Sequence, residues 1–305
     1  MLKGQHISKA RHRAHGVVSL AAFHALKKAY IMHNQVTTDV TRSVLRYFGG
    51  KWAIAPWIIQ HMPPHRVYVE PFGGGGSVLL RKPRSRCEVY NDLDEEIVSI
   101  FRTVQDPVQC RRLMKVLKRT PYSRAEYRRA FMPSRDPVVR AQRAIIRSFM
   151  GIHHSALFMP SKASAFASTA SSGYRSWVSY PRHLAEACRR LRGVIIEQRD
   201  AMQVIDIQDS PDTLFFIDPP YLPTTRNMSA RYRHDMDEPA HIRLLDRLQT
   251  IQGVAMVAGY PSALYDRMLS TWTRIEKDHY ARVMGVRKAV EVLWISPRHK
   301  ASLSP

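Results

Sequence analysis

One short stretch of the chain places an acid, two prolines and an aromatic residue directly after an apolar run. Residues 213–217 (Thr-Leu-Phe-Phe-Ile) are typical of a strand that is buried on both faces. Pro219 and Pro220 must end this strand, because a proline has no N–H to donate to a neighbouring strand. Asp218 and Tyr221 are therefore expected at the carboxyl end of a strand, which is the edge where open α/β sheets bind ligands.

The chemistry that this stretch suggests is transfer of a group to an exocyclic amine. An amino nitrogen on a heteroaromatic base is a poor nucleophile, because its lone pair is delocalised into the ring. The Asp218 carboxylate and the Pro219 carbonyl can each accept one amino hydrogen, and Tyr221 can stack on the base. A strand-terminating turn with a capping Asp is the alternative explanation of these four residues alone.

The composition indicates a globular protein with a polyanionic partner. The chain has 305 residues, 45% of them hydrophobic and 24% charged, which suits one large α/β domain with an insertion or two domains. Its net charge of +22 and pI of about 10.4 favour nucleic acid as the partner. A generally basic, arginine-rich proteome is the alternative explanation of this charge.

Cysteine, histidine and hydropathy patterns predict neither a metal site nor a membrane span. Cys87, Cys110 and Cys188 are odd in number and widely spaced, so they suggest neither a disulfide framework nor a zinc site. His153 and His154 are adjacent rather than one helical turn apart, which disfavours metal binding. No apolar run reaches ~18 residues and no secretory leader pattern opens the chain, so we expect a protein of the reducing cytoplasm.

A strand, a glycine turn, a helix and a second strand follow one another in the order that binds a nucleoside in Rossmann-like sheets. The first strand, at 67–70, leads into glycines 73–76, and the second, at 87–90, ends in Asp92. The glycine spacing is not the dinucleotide G-x-G-x-x-G and no Walker lysine follows, so phosphate binding is disfavoured. An acid after the second strand can hold ribose hydroxyls; the alternative is that Asp92 caps the helix expected from 93 to about 105.

Residues 107 to about 190 lack strand patterns and are helical and basic. Such an excess of one sign repels itself unless phosphates neutralise it, so we expect the main DNA-contacting region here, with a solvated helical face as the alternative. A Ser/Ala-rich stretch at 161–175 predicts a mobile loop. Up to residue 150 the segment contains only two acids, Glu126 and Asp136. Its basic residues over the same range are Arg111, Arg112, Lys115, Lys118, Arg119, Arg124, Arg128, Arg129, Arg135, Arg140, Arg143 and Arg147.

The second half of the chain continues the α/β pattern. A third strand, at 193–198, precedes Asp200, whose position suits an acceptor for the exocyclic amine of a cofactor adenine. After the Asp218 strand, residues 222–239 form a long polar connection typical of a lid, a DNA clamp or an ordinary solvated loop. The pattern then closes the sheet with a helix at 241–250, a strand at 253–258, a helix at 263–272 and a strand at 290–295.

Together these motifs resemble the Dam-type, α-group family of DNA adenine-N6 methyltransferases, which use S-adenosylmethionine. The resemblance covers residues 46–297 and depends on the order of the motifs more than on any one of them. In chain order they are Gly49-Gly50-Lys51-Trp52, Glu70-Pro71-Phe72-Gly73-Gly74-Gly75-Gly76-Ser77, Asp92, an insertion, Asp200 and Asp218-Pro219-Pro220-Tyr221. The phage and prophage branch is the most similar, through Ala258-Gly259-Tyr260, Leu264-Tyr265-Asp266 and Glu291-Val292-Leu293-Trp294.

The resemblance implies a fold class and a domain organisation. The fold would be α/β: a Rossmann-like, S-adenosylmethionine-dependent methyltransferase sheet with an inserted, mainly helical target-recognition domain. We expect a basic N-terminal extension at 1–40, a catalytic domain made of 41–106 and 191–305, and the target-recognition insertion at 107–190.

The resemblance also implies roles for individual residues. The cofactor-binding residues would be Phe48, Lys51, Trp52, Glu70, Phe72, Gly73, Gly75, Asp92 for the ribose, Asp200 for the adenine, and Met202. The catalytic residues would be Asp218, Pro219, Pro220 and Tyr221. Many relatives have Phe after the third-strand Asp, whereas Ala201 follows here, so we assign adenine stacking to Met202. The basic residues that we expect on DNA are Arg124, Arg128, Arg129, Arg147, Lys162, Arg175, Arg226 and Arg231.

The implied reaction is direct methyl transfer to N6 of an adenine that leaves the DNA duplex. Asp218 and the Pro219 carbonyl would orient N6, whose lone pair attacks the methyl group in line without a covalent enzyme intermediate. The partner would be double-stranded DNA. We expect a monomer without a metal, in the cytoplasm of a bacterial or phage-infected cell and in the setting of restriction–modification.

Rival functions fit parts of the pattern. N4-cytosine transfer meets the same problem of a poor amine nucleophile, but its motif usually begins with Ser, so Asp218 favours adenine. Methylation of RNA or of a protein glutamine usually has a motif that begins with Asn, and C5-cytosine transfer needs a thiolate that typically follows a proline, which none of the three cysteines does. A non-catalytic DNA-binding protein on this scaffold is disfavoured by the intact acid and glycine turn, and a dinucleotide oxidoreductase by the glycine spacing.

Overall fold

The structure is a computed structural model that describes residues 38–47, 49–152, 166–168, 173–225, 232–282 and 286–297, with backbone alone for 279–282 and 286–288. Most of the expected N-terminal extension lies outside the described residues. So do four residues with predicted roles, Phe48, Lys162, Arg226 and Arg231, and the adjacent histidines 153 and 154.

The described chain alternates strands and helices, as the sequence pattern predicts. The strands are β1 (Val67–Glu70), β2 (Cys87–Asn91), β3 (Ile195–Glu197), β4 (Thr213–Ile217), β5 (Val254–Gly259), β6 (Thr273–Arg282) and β7 (Val286–Ile295). The helices are α1 (Ala55–Gln60), α2 (Ser77–Arg81), α3 (Glu95–Gln105), α4 (Pro107–Arg119), α5 (Arg124–Arg129), α6 (Pro137–Met150), α7 (Tyr174–Leu191), α8 (Ala201–Gln208), α9 (Glu238–Leu248) and α10 (Ala263–Met268).

The strands form one sheet in the order β3-β2-β1-β4-β5-β7-β6. Strand β1 pairs in parallel with both β2 and β4, so that Val67 lies opposite Cys87 on one side and Thr213 on the other. The chain runs outward from β1 to β3 in one direction and from β4 to β5 in the other, which makes β1/β4 the topological switch point. The predicted Rossmann-like α/β sheet is therefore confirmed, and its ligand crevice is expected at the carboxyl ends of β1 and β4.

Strand β4 has the character that the sequence predicts. All five of its residues are buried, because helices cover the sheet on both faces and leave no polar side for the strand. Strand β3 differs: it is an edge strand on which Ile195 is exposed.

The far end of the sheet departs from the prediction. Strands β6 and β7 form a long antiparallel hairpin, with Thr273 opposite Ile295 and Arg282 opposite Val286. The sequence pattern indicated a helix up to 272 and a strand only from 290. Strand β6 was not predicted because it is an edge strand that is rich in charged residues and has few apolar ones. Charged side chains on an edge strand discourage pairing with further strands.

The helices from 107 to 190 are built onto the sheet domain through α3. The dipeptides Asp106-Pro107 and Asp136-Pro137 start α4 and α6: each Asp side chain accepts backbone N–H groups of the first turn and each Pro takes a position that needs no donor. One buried cluster includes apolar residues of α3, α4, α6 and α7 together with β1 and β2. The predicted loop at 161–175 is wrong at its end, because Tyr174 already begins α7.

Candidate active site

A cavity of about 440 Å³ opens at the carboxyl ends of the parallel strands. Its size falls in the range of ~300–1,000 Å³ that small-molecule sites occupy. Eleven residues with predicted roles line it: Lys51, Glu70, Phe72, Gly73, Gly75, Asp92, Asp200, Met202, Asp218, Pro219 and Pro220. The fold therefore gathers motifs that lie up to about 170 residues apart in the chain around one space.

The glycine turn between β1 and α2 forms one wall of the cavity. The Gly73 N–H donates to the Asn91 carbonyl at 2.7 Å, and Gly74 adopts a left-handed φ of 49°. A Cβ added at Gly73 would lie 2.2 Å from the ring of Tyr90. The turn can thus follow this path close to β2 only without a side chain at Gly73.

Asp92, directly after β2, is held by the backbone around it. Its Oδ2 accepts the Gly74 N–H at 2.7 Å and its Oδ1 accepts the Asp94 N–H at 2.8 Å. Asp94, and not Asp92, caps α3, since the Asp94 side chain accepts the Glu96 N–H. Burial raises the pKa of Asp92 to about 6, against the two hydrogen bonds, which lower it.

The β3 side of the cavity presents a second acid and two apolar side chains. Asp200 caps α8 by accepting the Met202 N–H at 2.9 Å on Oδ1, which leaves Oδ2 to face other donors. Met202 and Phe72 are partly buried against the core beneath the sheet. Asn91 fixes this side, because its side chain accepts from the Arg199 N–H and donates to the Pro71 carbonyl.

At the end of β4, Asp218 faces a buried lysine. Lys51 Nζ lies 2.9 Å from Asp218 Oδ1, and it also donates to the Gly49 carbonyl at 2.9 Å. Burial raises the pKa of Asp218, while the charge of Lys51 and its hydrogen bond lower it. Burial alone would lower the pKa of Lys51, but the charges of Asp218 and Glu291 outweigh that effect and raise it. The charges of the two groups thus stabilise each other, although burial keeps the pKa of Asp218 above its ordinary value.

Tyr221 lies behind this ion pair, outside the lining of the cavity. Its hydroxyl donates to Glu291 on β7, and Lys51 Nζ stands 4.7 Å from the centre of its ring. The ring of Tyr260 packs against it edge-on, with the centroids 4.8 Å apart and the planes at 73°. The orientation of the Tyr221 ring is therefore set from three sides.

Comparison with known proteins identifies the family of this site. The family model of the D12 class N6 adenine-specific DNA methyltransferases matches residues 47–281. The chain belongs to this family.

Individual relatives agree with the family match. The "DNA adenine methylase" of Salmonella typhi is 24% identical over 274 residues, which cover 83% of this chain and 94% of that protein. The protein of the same name from Escherichia coli (strain K12) is 33% identical over 106 residues, covering 33% of this chain and 37% of that one. The "DNA N-6-adenine-methyltransferase" of Escherichia phage P1 is 27% identical over 67 residues, covering 22% of this chain and 9% of that one.

The predicted activity is thereby confirmed: the protein is a DNA methyltransferase that acts on N6 of adenine, with DNA as its substrate and a methyl donor as its second substrate. N4-cytosine transfer and a non-catalytic role are not favoured. Among the described residues, no group of three or more His, Cys, Asp or Glu side chains could hold a metal ion. In the same part of the chain, no helix is both long and apolar enough to cross a membrane.

Two residues with predicted roles lie elsewhere in this methyltransferase. Trp52 is outside the cavity lining, where its ring faces the Arg81 guanidinium at 5.1 Å and its carbonyl accepts from Arg81 Nη1 at 2.6 Å. Arg147 is only 6% exposed, and its guanidinium binds the Glu96 carboxylate and the Ala130 carbonyl. These contacts leave Arg147 little surface for a phosphate, so we assign it a structural role. The other described cations with a predicted DNA contact, Arg124, Arg128, Arg129 and Arg175, are exposed.

Among the residues of the site that were not predicted from the sequence, three make contacts that shape it. Tyr47 lines the cavity beside the glycine turn, and Arg233 lies at its rim, where it pairs with Asp94 at 2.6 Å. Glu291 completes the corner behind Lys51. Only Glu291 had a local signal, because an acid in the middle of the apolar run 290–295 is costly unless it is paired.

Proposed function

We propose that the methyl donor is S-adenosylmethionine and that the cavity at the switch point holds it. Asp92 and Asp200 suit the ribose hydroxyls and the adenine amine, since each carboxylate keeps acceptor capacity beyond its backbone hydrogen bonds. Phe72 and Met202 offer apolar faces to the adenine ring. When bound, the donor supplies a methyl group on a positively charged sulfur.

The methionine end of this donor would lie along the glycine turn and the residues before α1. Lys51, Glu70, Gly73 and Gly75 line that part of the cavity, and Phe48 is proposed to join them. The fit is supported by the glycines of the turn, which line the cavity with backbone and so let a ligand approach closely. Trp52 would act from behind this wall through its contact with Arg81.

The target adenine would meet the corner at the end of β4. Asp218 and the Pro219 carbonyl accept the two hydrogens of the N6 amine, which localises the nitrogen lone pair. Pro220 keeps that carbonyl turned outward, since it has no N–H to pair within the sheet. Tyr221, directly after this dipeptide, is proposed to stack on the base. Asp218 then takes the surplus proton from N6 as the methyl group is acquired.

DNA would approach over the helical region 107–190, which we propose as the target-recognition insertion of a catalytic domain made of 41–106 and 191–305. Exposed arginines of α5 and α7 support this path, and Lys162, Arg226, Arg231 and the basic extension 1–40 are proposed to add to it. The adenine must leave the duplex, at a cost of a few kcal/mol, to reach a cavity of this depth. We further propose that the enzyme works as a monomer in the cytoplasm, where its DNA substrate is found.

The observation that carries the proposal is that the acids after β2 and β4 open into one cavity beside a glycine turn. Its test is single-molecule modification sequencing of DNA from a methylation-free host that expresses the wild type, the Asp218→Ala variant or the Asp212→Ala variant. Asp212 lies at the opposite end of β4 and pairs with Arg66, so it serves as a matched control.

We expect N6-methyladenine at one sequence word with the wild type and with Asp212→Ala, and none with Asp218→Ala. N6-methyladenine at wild-type level in the Asp218→Ala strain would overturn the proposed site. N4-methylcytosine in the wild-type strain would instead overturn the assignment of the base.

A further inference from the structure

Glu291 is an acid buried in the apolar interior of strand β7. It is 2% exposed, and its neighbours Val292, Leu293 and Trp294 are fully buried. Its carboxylate accepts a hydrogen bond from the Tyr221 hydroxyl, and Oε1 lies 3.7 Å from Lys51 Nζ. Glu291, the one acid of this strand, thus contacts Tyr221 and Lys51, which lie beside the proposed site of methyl transfer.

The corner behind the cavity sets two carboxyl groups beside one lysine, and burial raises the pKa of Glu291 to about 7 while the charge of Lys51 opposes that shift. Lys51 serves two carboxylates, that of Asp218 at 2.9 Å and that of Glu291 at 3.7 Å. A buried carboxylate costs several kcal/mol unless it is fully paired, and an apolar residue of similar size would avoid this cost. Stability alone therefore does not explain an acid at position 291, because Glu291 has to share Lys51 with Asp218.

Lys51 has a second possible acceptor close by, the carboxylate of Glu291. Lys51 engages Oδ1 of Asp218 and leaves Oδ2 for the target amine, and a second acceptor for the ammonium would let the Asp218 carboxylate turn further toward that amine. A shift of Lys51 by about 1 Å would bring its Nζ within hydrogen-bonding distance of Glu291. The Gly49 carbonyl would keep its hold on the ammonium during so small a movement.

We propose that Glu291 is a positioning residue for methyl transfer, which holds the Tyr221 hydroxyl and receives the Lys51 ammonium when Asp218 turns to the amine of the target base. The inference rests on the proposed function and deepens it. Glu291 touches neither base nor donor; it acts through Tyr221 and Lys51. Its loss should therefore slow the chemical step and leave substrate binding nearly unchanged.

The Glu291→Gln variant separates this role from a structural one. A glutamine keeps the size of the side chain and an oxygen that can accept from Tyr221, but it removes the charge that attracts Lys51. The matched control is Glu276→Gln on β6, because Glu276 lies opposite Val292 in the same hairpin, is about half exposed and pairs with Arg274. A Glu291→Asp variant keeps the charge on a shorter stem and should restore part of the rate.

The experiment measures single-turnover methylation, KM for donor and DNA, and Tm for these variants and the wild type. We expect the single-turnover rate of Glu291→Gln to fall by about 10- to 100-fold, as a misplacement of about 1 Å can cost, with both KM values near those of the wild type. Glu276→Gln should match the wild type. A wild-type rate in a folded Glu291→Gln variant would overturn the inference.

A pH–rate profile adds a result that a structural role would not produce. The charged and titratable groups facing Glu291 are Lys51, Asp218, Tyr221 and Tyr260, together with Lys277, which lies opposite it on β6. Without the negative charge of Glu291, Lys51 is left to Asp218 and the pKa of Asp218 falls, so the acid limb of the profile should move to lower pH while the plateau drops. An unmoved acid limb would argue for a structural role only.

Two further variants keep the outcome decisive. If Glu291→Gln does not fold, Tyr221→Phe removes the same hydrogen bond from the other side while keeping the ring, and a wild-type rate there would overturn the proposed hold on Tyr221. Asp218→Ala runs in parallel. Activity in Asp218→Ala would defeat the proposed function itself, whereas an inactive Asp218→Ala beside a fully active Glu291→Gln would defeat the present inference alone.

Discussion

The two acid-bearing ends of the cavity are built on different principles. At the β2 end, Asp92 is fixed by the backbone N–H groups of Gly74 and Asp94. At the β4 end, Asp218 is fixed by the side chain of Lys51. A carboxylate held by backbone keeps one geometry, whereas one held by a flexible lysine can exchange partners. The first arrangement suits a ligand that only has to be bound, and the second suits a group that must change its contacts during a reaction.

Burial acts on both acids in the same direction, so the contrast lies in what opposes it. Burial raises the pKa of Asp92 to about 6 and raises that of Asp218 as well. At Asp92 the opposing effect comes from neutral hydrogen-bond donors, and at Asp218 it comes mainly from a full positive charge. Substitutions should therefore have different consequences at the two ends.

The largest effect is expected from Lys51→Met at the β4 end. Without the ammonium, the pKa of Asp218 rises further, so less of this carboxylate is ionised near neutral pH and able to accept from the amine. We expect the single-turnover rate to fall by about 10²- to 10³-fold at pH 7 and to recover partly as the pH rises. The pH–rate profile of the variant, taken at a temperature at which it is folded, checks this.

Arg247→Met is the matched control for that variant. Arg247 also pairs with two carboxylates, those of Asp206 at 2.7 Å and Asp209 at 3.4 Å, but it does not line the cavity. Its replacement should leave the pH–rate profile unchanged. An equal loss of rate in both variants would show that the charge of Lys51 has no special role and would remove the contrast between the two ends.

A smaller effect, on binding rather than rate, is expected from Gly73→Ala at the β2 end. The new Cβ would lie 2.2 Å from the Tyr90 ring, which stacks on Phe101 with the centroids 4.3 Å apart and cannot easily yield. Overpacking of this kind costs about 1–3 kcal/mol of stability, and a shift of the turn that relieves the clash would move the wall of the cavity, so we expect roughly 10- to 100-fold weaker donor binding by calorimetry. Gly193→Ala is the control: Gly193 has a φ of 83° but nothing within 4 Å of an added Cβ, so the variant should lose a little stability and no affinity.

The smallest effect is expected from Asp92→Asn, and it depends on pH. The ordinary pKa of an Asp is about 3.9, so between pH about 4 and 6 the folded protein binds more protons at Asp92 than the unfolded chain does. Stability thus falls as the pH rises through this window, while the ionised form that the proposed contact with the ribose hydroxyls needs becomes populated. Wild-type affinity for the donor should increase through pH about 6 and level off near pH 7, roughly one unit above this pKa.

In Asp92→Asn, donor binding should be roughly tenfold weaker at pH 8 and flat between pH 5 and 7, since a lost hydrogen bond to a charged group costs about 1.5–3 kcal/mol at most. Asp209→Asn is the control, because Asp209 also accepts backbone N–H groups, those of Gln252 and Gly253, but lies outside the cavity. Glu70 also lines the cavity, and burial raises its pKa to about 7. The pH dependence that is lost in Asp92→Asn but kept in Asp209→Asn belongs to Asp92, and any that remains in Asp92→Asn belongs to an acid such as Glu70. A wild-type slope in Asp92→Asn would assign the pH dependence to another acid.

Much of the fold could be predicted because the central strands are buried on both faces. Strands β4 and β5 appear in the sequence as continuous apolar runs, so their positions were predicted to within a residue or two. Strand β6 could not be predicted, since an exposed edge strand has no such run. The start of α7 was also missed, because its first residues Tyr174 and Arg175 follow a Ser-rich stretch that resembles a loop.

The candidate site was predictable where a motif is local and not where it depends on packing. Asp92 and Asp218 follow strands directly, so the sheet alone brings them to one edge. Trp52 was predicted from a motif and Arg147 from the basic character of its segment. In the structure their side chains contact Arg81 and Glu96 instead. The reach of an arginine or the turn of an indole ring depends on neighbours that are distant in the chain, and single-sequence patterns do not contain them.

The carboxylate of Glu96 limits where the proposed recognition helices can be cut out of this chain. It binds Arg147 of α6 on one oxygen and Arg233 from the rim of the cavity, at 3.2 Å, on the other. A chimaera cut at residue 107 would separate Arg147 from the acid that neutralises it and leave a charge buried in the junction. The unit to transplant therefore extends back into the first turn of α3, and Glu96 and Arg147 must travel together.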